Sequence, residues 1–304
     1  ASQAVAGHEQ PFFYHFFVFL LGCFPLSAFA FRGMGMKNLE QKDRILRNFM
    51  LVWFWVVLIL FSLVRTKIVH YSSLLYFPGA FLATFYLERL WKNAEKPKWD
   101  VIGIYILGLL VFGLATVSVN WIFGDPEWLV SKGTNAFMTA CLGEDVVWKG
   151  WEFIPGLIFL IGAGLGLVFL VQKHYKRFFI VMLVTVPLFL NGLNVLVLPR
   201  IADYSQNAAI RFFEEKADED AYIMVEAYKS YAHYFYGKVK PFGHPEIAKD
   251  DRGDWMARRA IDKPVYLVTR IDRATEEFEN VWFEKFEKIG QDGGFVFYKR
   301  EIPK

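Results

Sequence analysis

Hydrophobic and polar residues are unevenly distributed along this chain. Between about residues 11 and 198, long apolar runs alternate with short charged connectors; from 199 to 304 the sequence turns polar, charged and rich in tyrosine. An apolar run of about 18 residues or more is long enough to cross the hydrocarbon core of a bilayer as a helix. In lipid the backbone must satisfy its own hydrogen bonds, which makes such runs helical. The pattern predicts six spans, at about 11–31, 49–64, 69–87, 101–123, 153–171 and 178–198. The expected fold class is therefore mostly α: a polytopic membrane protein of about six transmembrane helices at 1–198, followed by a small periplasmic α/β domain at 199–304.

Prolines 25, 78, 155 and 187 fall in or near the spans, where neighbouring helices can repair the lost hydrogen bonds. Gly162, Gly164 and Gly166 would let helices approach closely. Asn191 and Asn194 in the last span are expected to hydrogen-bond between helices.

The connectors set the expected orientation. One set carries Arg32, Lys37, Lys42, Arg44 and Arg47, then Arg89, Lys92, Lys96 and Lys98, then Lys173, Lys176 and Arg177; the alternate set carries only Arg65, Lys67, Lys132 and Lys149. Basic loops stay in the cytoplasm, so the N-terminus and the tail are both expected outside.

The tail reads as alternating helix and strand. Residues 203–217 have helical spacing, with Ala208, Ala209, Phe212 and Phe213 on one side. The stretches "DAYIMVEAY", "KPVYLVTRI" and "GGFVFYKRE" read as strands, and 274–290 reads as a helix closed by Gly290. The tyrosines 228, 231, 234 and 236, with His233, could contact a sugar or a lipid headgroup, or pack the domain onto the membrane face.

Composition narrows the function classes. The chain is 55% hydrophobic with a formal net charge of only +3, which gives no argument for nucleic acid. Its two cysteines, Cys23 and Cys141, are too few for a disulfide framework and are expected to be free thiols. The segment 124–150 is expected to be a solvated interfacial loop; its carboxylates Asp125, Glu127, Glu144 and Asp145 match no metal spacing.

The polar island Arg65-Thr66-Lys67-Ile68-Val69-His70-Tyr71 stands out between two apolar runs. Its cations either cap helix ends and reach to headgroups, or hold an anion such as a lipid phosphate, with His70 and Tyr71 as further donors.

The stretches "GHEQPFFYHFFVFLLGCFPLSAFAF" and "FSLVRTKIVHYSSLLYFPGAFLATFYLERL" resemble the C-terminal half of bacterial GT-C membrane glycosyltransferases, of the protein O-mannosyltransferase and aminoarabinose transferase type. Residues 7–78 carry the specific part of that resemblance. It implies transfer of a sugar from a polyprenyl-phosphate carrier to a periplasmic acceptor at the bacterial inner membrane. Arg65, Lys67, His70 and Tyr71 would hold the lipid phosphate, while His8, Glu9 and Tyr14 would line the cavity. The polyprenyl-phosphate-linked sugar would be the donor substrate, with a divalent metal left open.

The family's catalytic acidic residue lies in an earlier outer loop that this sequence does not contain. The expectation is therefore a fragment, a split half that pairs with an N-terminal half or partner subunit, or a degenerate relative. The alternative expectation is a non-catalytic accessory subunit of a larger membrane complex.

Overall fold

The computed structural model describes residues 10–37, 39–64, 67–239, 252–274 and 285–302. In chain order the helices are α1 (Tyr14–Gly22), α2 (Ser27–Met34), α3 (Gln41–Leu63), α4 (Ser73–Asn93), α5 (Trp99–Val117), α6 (Val119–Phe123), α7 (Pro126–Val130), α8 (Ala136–Leu142), α9 (Ile154–Val171), α10 (Tyr175–Gly192), α11 (Leu198–Asp203), α12 (Asn207–Lys216), α13 (Ala232–Tyr236) and α14 (Arg252–Arg258). The strands are β1 (Tyr222–Val225), β2 (Val265–Arg270), β3 (Glu287–Asp292) and β4 (Phe295–Arg300).

Among the described residues, four helices are long and apolar enough to cross a membrane: α3, α5, α9 and the run Tyr175–Asp203, in which α10 continues through a π-turn into α11. The pair α1 and α2, bent by 112°, makes a fifth if it is one broken span. Six were expected. The expected first span breaks around Pro25, and the helix over the expected third, α4, carries Glu88, Arg89 and Lys92 near its C-terminal end and is not among the apolar four.

The chain packs as two units. The first takes residues 1–117 and 153–191; the second takes 118–152 and 192–304. The segment 118–152, which includes the expected loop 124–150 of a domain of residues 1–198, thus packs with the tail.

Within the first unit α2 lies against α4, and α5 lies against α9. Glycines permit these approaches. A Cβ on Gly33 would sit 1.7 Å from the carbonyl oxygen of Leu82, and one on Gly113 of α5 would sit 2.1 Å from Cδ2 of Leu160 on α9. Phe24, Tyr105, Phe112, Phe159 and Phe189 interlock across the helices, with Phe159 and Phe189 ring centroids 4.5 Å apart. Asn191 donates to the carbonyl of Pro187 at 2.8 Å, so among the described residues its amide serves its own helix.

The second unit holds a four-stranded mixed sheet of order β1-β2-β4-β3. β1 and β2 are parallel; β2–β4 and β4–β3 are antiparallel. Successive side chains on a strand point to opposite faces, and here both faces are buried. Met224, Leu267, Val296 and Tyr298 pack with Trp255 and Met256 of α14. Ile223, Tyr266, Val268, Phe295 and Phe297 pack with Phe212 and Phe213 of α12.

The expected helix at 274–290 is corrected in part. Residues 275–284 lie outside the described residues, and 287–292 form the edge strand β3. That strand is polar and exposed, so no apolar alternation announced it. Its pairing with β4 comes from the tight turn at Gly293, whose φ of 51° suits a residue without a Cβ.

The segment 124–150, expected as a solvated loop, holds the short helices α7 and α8, and part of it packs on the tail. Phe137 meets Phe295 edge-on at 5.4 Å, and the Arg270 guanidinium lies 3.9 Å over the Phe137 ring. Phe123 stacks on Trp148 and Tyr204 at 4.9 and 5.7 Å, and Trp148 Nε1 donates to the Tyr204 hydroxyl at 2.9 Å.

Candidate functional site

The polar island follows the C-terminal end of α3. Val64 leaves the helix in extended conformation (φ −71°, ψ 134°), and Ile68 is extended too (φ −118°, ψ 132°). A single 3₁₀ turn, Val69–Ser72, then leads into α4. This corner turns Lys67 inward: only 6% of it is exposed, and its ammonium donates to the carbonyl of Val64 at 2.8 Å. A cation suits that position, because the last carbonyls of a helix are unpaired and carry the negative end of its dipole.

One carbonyl does not satisfy an ammonium with three donors, and it is the only hydrogen-bond partner of Lys67 Nζ among the described residues. A desolvated charge without an anion is expensive.

Beside it, α1 contributes His15, buried and within electrostatic reach of Lys67. His15 Nδ1 and the Ser72 hydroxyl share a hydrogen bond of 2.7 Å, while Nε2 is buried without a partner among the described residues. Ser72 stands at the N-cap of α4 yet makes no side-chain cap, since its hydroxyl is given to His15. Aromatic rings surround the histidine: Tyr14 edge-on at 5.2 Å and Phe61 at 5.9 Å.

The expected residues therefore fall in three groups. Lys67 is buried at the corner and Tyr14 sits beside His15. Tyr71 is partly exposed and stacks on Phe61 at 4.7 Å, joining the same aromatic wall. His70 is exposed, and the local contact it makes is through its carbonyl, which accepts from the Ser73 hydroxyl at 2.6 Å. Arg65, His8 and Glu9 lie outside the described residues.

His15 and Ser72 were not singled out in the sequence. A lone histidine in an apolar run reads as core. The signal available was that an ionisable side chain inside a span needs a named polar partner.

The second unit has its own charged cluster. Arg211 donates to Glu144 at 3.1 Å and to Asp292 at 2.7 Å, and burial pushes the Glu144 carboxyl above its usual range. Glu152, also buried, accepts from Asn120 at 2.8 Å and from the backbone N–H groups of Lys149 and Gly150, both at 2.9 Å. Among the described residues, no group of three or more His, Cys, Asp or Glu side chains could hold a metal ion.

The fold of the described residues, apolar helices together with a mixed α/β unit, is similar to that of a solved membrane transferase, ArnT. The particular proteins it is similar to are aminoarabinose transferases. The crystal structure of ArnT from Cupriavidus metallidurans in the apo state matches with a TM-score of 0.57 at 14% identity, over 98% of this chain and 53% of that one. The structure of the same protein bound to undecaprenyl phosphate matches with a TM-score of 0.53 at 12% identity, over 96% and 52%.

In sequence, the undecaprenyl phosphate-alpha-4-amino-4-deoxy-L-arabinose arabinosyl transferase of Wigglesworthia glossinidia brevipalpis is 30% identical over 92 residues, which is 30% of this chain and 16% of that protein. No family model matches. The chain thus spans about half the length of the solved structures it matches, and the sequence match takes in a still smaller share of the curated relative.

Proposed function

We propose that this chain is the carrier-binding part of a bacterial inner-membrane glycosyltransferase that moves a sugar from a polyprenyl-phosphate to a periplasmic acceptor. Lys67 holds the lipid phosphate, with Arg65 adjacent in sequence and Tyr71 on the wall of the same corner. His15 takes the place that the sequence offered to His70. The observation that carries this reading is the buried, under-satisfied ammonium of Lys67 beside a histidine nitrogen that has no partner among the described residues. No carboxylate pairs with that ammonium among the described residues, and a buried cation favours an anion.

In such a transfer the acceptor oxygen attacks the anomeric carbon, and the bond from that carbon to the lipid phosphate oxygen breaks. The electron pair leaves with the phosphate, and a fixed cation there stabilises the charge as it develops. The catalytic acidic residue would come from a partner half. That complement is part of the proposal, prompted by the half-length match to the solved transferases. A second reading is an accessory subunit that keeps the fold and performs no transfer.

The test is binding of a polyprenyl phosphate to the chain in lipid nanodiscs, comparing wild type with Lys67→Met, followed by sugar transfer when the complementary half is supplied. Binding lost in the variant supports the carrier site, and transfer on complementation separates the enzyme from the accessory subunit. Equal binding in both proteins would remove the role of Lys67.

A further inference from the structure

We propose that the outer face of α13 is a membrane-contact surface, on which Tyr231, Tyr234 and Phe235 seat in the headgroup layer of a bilayer containing anionic phospholipid. This does not depend on the carrier site. Residues 231, 234 and 235 have the i, i+3, i+4 spacing that shares one side of a helical turn. The opposite side is anchored: Ala232 and Tyr236 pack on the core formed with α12, and the buried His233 ring lies 6.0 Å from Phe213. The free side is unusually apolar for a water-facing surface, with Tyr231 67%, Tyr234 50% and Phe235 80% exposed. Tyr231 and Tyr234 stack at 6.4 Å, and Lys229 lies 5.8 Å from the Tyr231 ring.

Three observations choose the bilayer as occupant. The first is connectivity. The apolar run Tyr175–Asp203 ends only three residues before α12, on which α13 packs. A ten-residue α12 adds about 15 Å at 1.5 Å per residue, so the chain cannot carry α13 far from the end of that run. The second is chemistry. Tyrosine buries its ring and keeps its hydroxyl wet, which is why aromatic belts form at the membrane–water boundary. The third is charge. Lys229 has no carboxylate partner among the described residues, whereas nearby Lys238 is paired with Asp218 at 2.9 Å. An unneutralised cation beside exposed rings complements anionic lipid. A protein partner fits less well, since three side chains are far short of the roughly 20–30 residues a side of a stable protein interface.

The experiment places a nitroxide at Phe235→Cys in the whole chain, on a Cys23→Ala/Cys141→Ala background, in nanodiscs containing phosphatidylglycerol. Collision with oxygen, which concentrates in lipid, is compared with collision with a water-soluble nickel chelate. Labels at Tyr231→Cys and at the exposed Asp218→Cys run alongside. The expected result is oxygen-favoured relaxation at 235 and 231, nickel-favoured relaxation at 218, and a shift back toward nickel at 235 when the lipid is phosphatidylcholine. Nickel-favoured relaxation at both 235 and 231 overturns the proposal, because the face is then in water. Shielding from both reagents overturns it as well, because the face is then covered by protein. An oxygen preference indifferent to lipid charge overturns the role of Lys229. The second label keeps the reading available if Phe235→Cys fails to insert.

Discussion

The Ser72 hydroxyl and His15 Nδ1 meet at 2.7 Å, joining the start of α4 to α1 across 57 residues of sequence. Both groups are buried, so removing one leaves the other unpaired. Ser72→Ala should cost about 1–3 kcal/mol, the usual penalty for stranding a buried polar group. It should also weaken polyprenyl phosphate binding, because the imidazole loses its orienting contact. Thermal unfolding in detergent, with binding measured on the same preparations, checks both. A variant as stable as wild type would mean that His15 finds another partner and is not held by Ser72.

Lys67 lends itself to a test in which stability and function separate. A buried ammonium with one carbonyl partner among the described residues is a burden on the unliganded chain. Lys67→Met keeps the length and removes the charge. Its melting temperature without ligand should equal or exceed that of wild type. Its affinity for polyprenyl phosphate should fall by about 1.5–3 kcal/mol, roughly tenfold to a hundredfold, the value of a hydrogen bond to a charged group. Destabilisation with unchanged affinity would assign Lys67 to capping α3 alone.

Much of the architecture was legible because apolar length is a strong signal. The runs that became α3, α5, α9 and α10 could only be helices. Glycine spacing was legible in part: Gly162 and Gly166, four apart, face Thr185 and Met182, but Gly164 between them faces open space. In the tail, Ala208, Ala209, Phe212 and Phe213 form the buried side of α12 as their spacing required.

What stayed hidden depended on tertiary partners. The bend between α1 and α2 leaves hydropathy unchanged. The strand β3 is polar and exists because β4 pairs with it. The segment 124–150 looked like a connector because the surfaces it packs on, around Phe295 and Tyr204, lie far away in sequence. At the site, Lys67 was visible as a charge between apolar runs, whereas His15 became visible only once α1 was seen beside Ser72.

The approach of α2 to α4 is fixed at Gly33. Any Cβ there would lie 1.7 Å from the Leu82 carbonyl oxygen, a backbone atom that cannot swing aside. Gly33→Ala should therefore separate the helices and cost about 1–3 kcal/mol or more, as overpacking does. Gly164→Ala, with nothing within 4 Å of its Cβ position, is the matched control and should be near neutral. Unfolding of the two variants in the same detergent decides it, and equal stabilities would refute the packing seen at Gly33.

Glu152 supplies a pH dependence whose sign can be worked out. Burial opposes its ionisation. The hydrogen bonds from Asn120 and from the N–H groups of Lys149 and Gly150 outweigh that, so its carboxyl is held below the usual range. A carboxyl depressed in the folded state contributes stability above its unfolded value, near 4.5, and loses it as the pH falls through the lower folded value. Glu152→Gln replaces one charged acceptor with an amide, which should cost about 1–3 kcal/mol at neutral pH. The gap between the two proteins should close as the solution is acidified, because protonated glutamate and glutamine are then near equivalents. Hydrogen exchange at the Lys149 and Gly150 amides localises the effect to 118–152: both should be protected in wild type at neutral pH and exchange faster in the variant. A gap that stays constant with pH would show that the contribution of Glu152 comes from its shape and not from its charge.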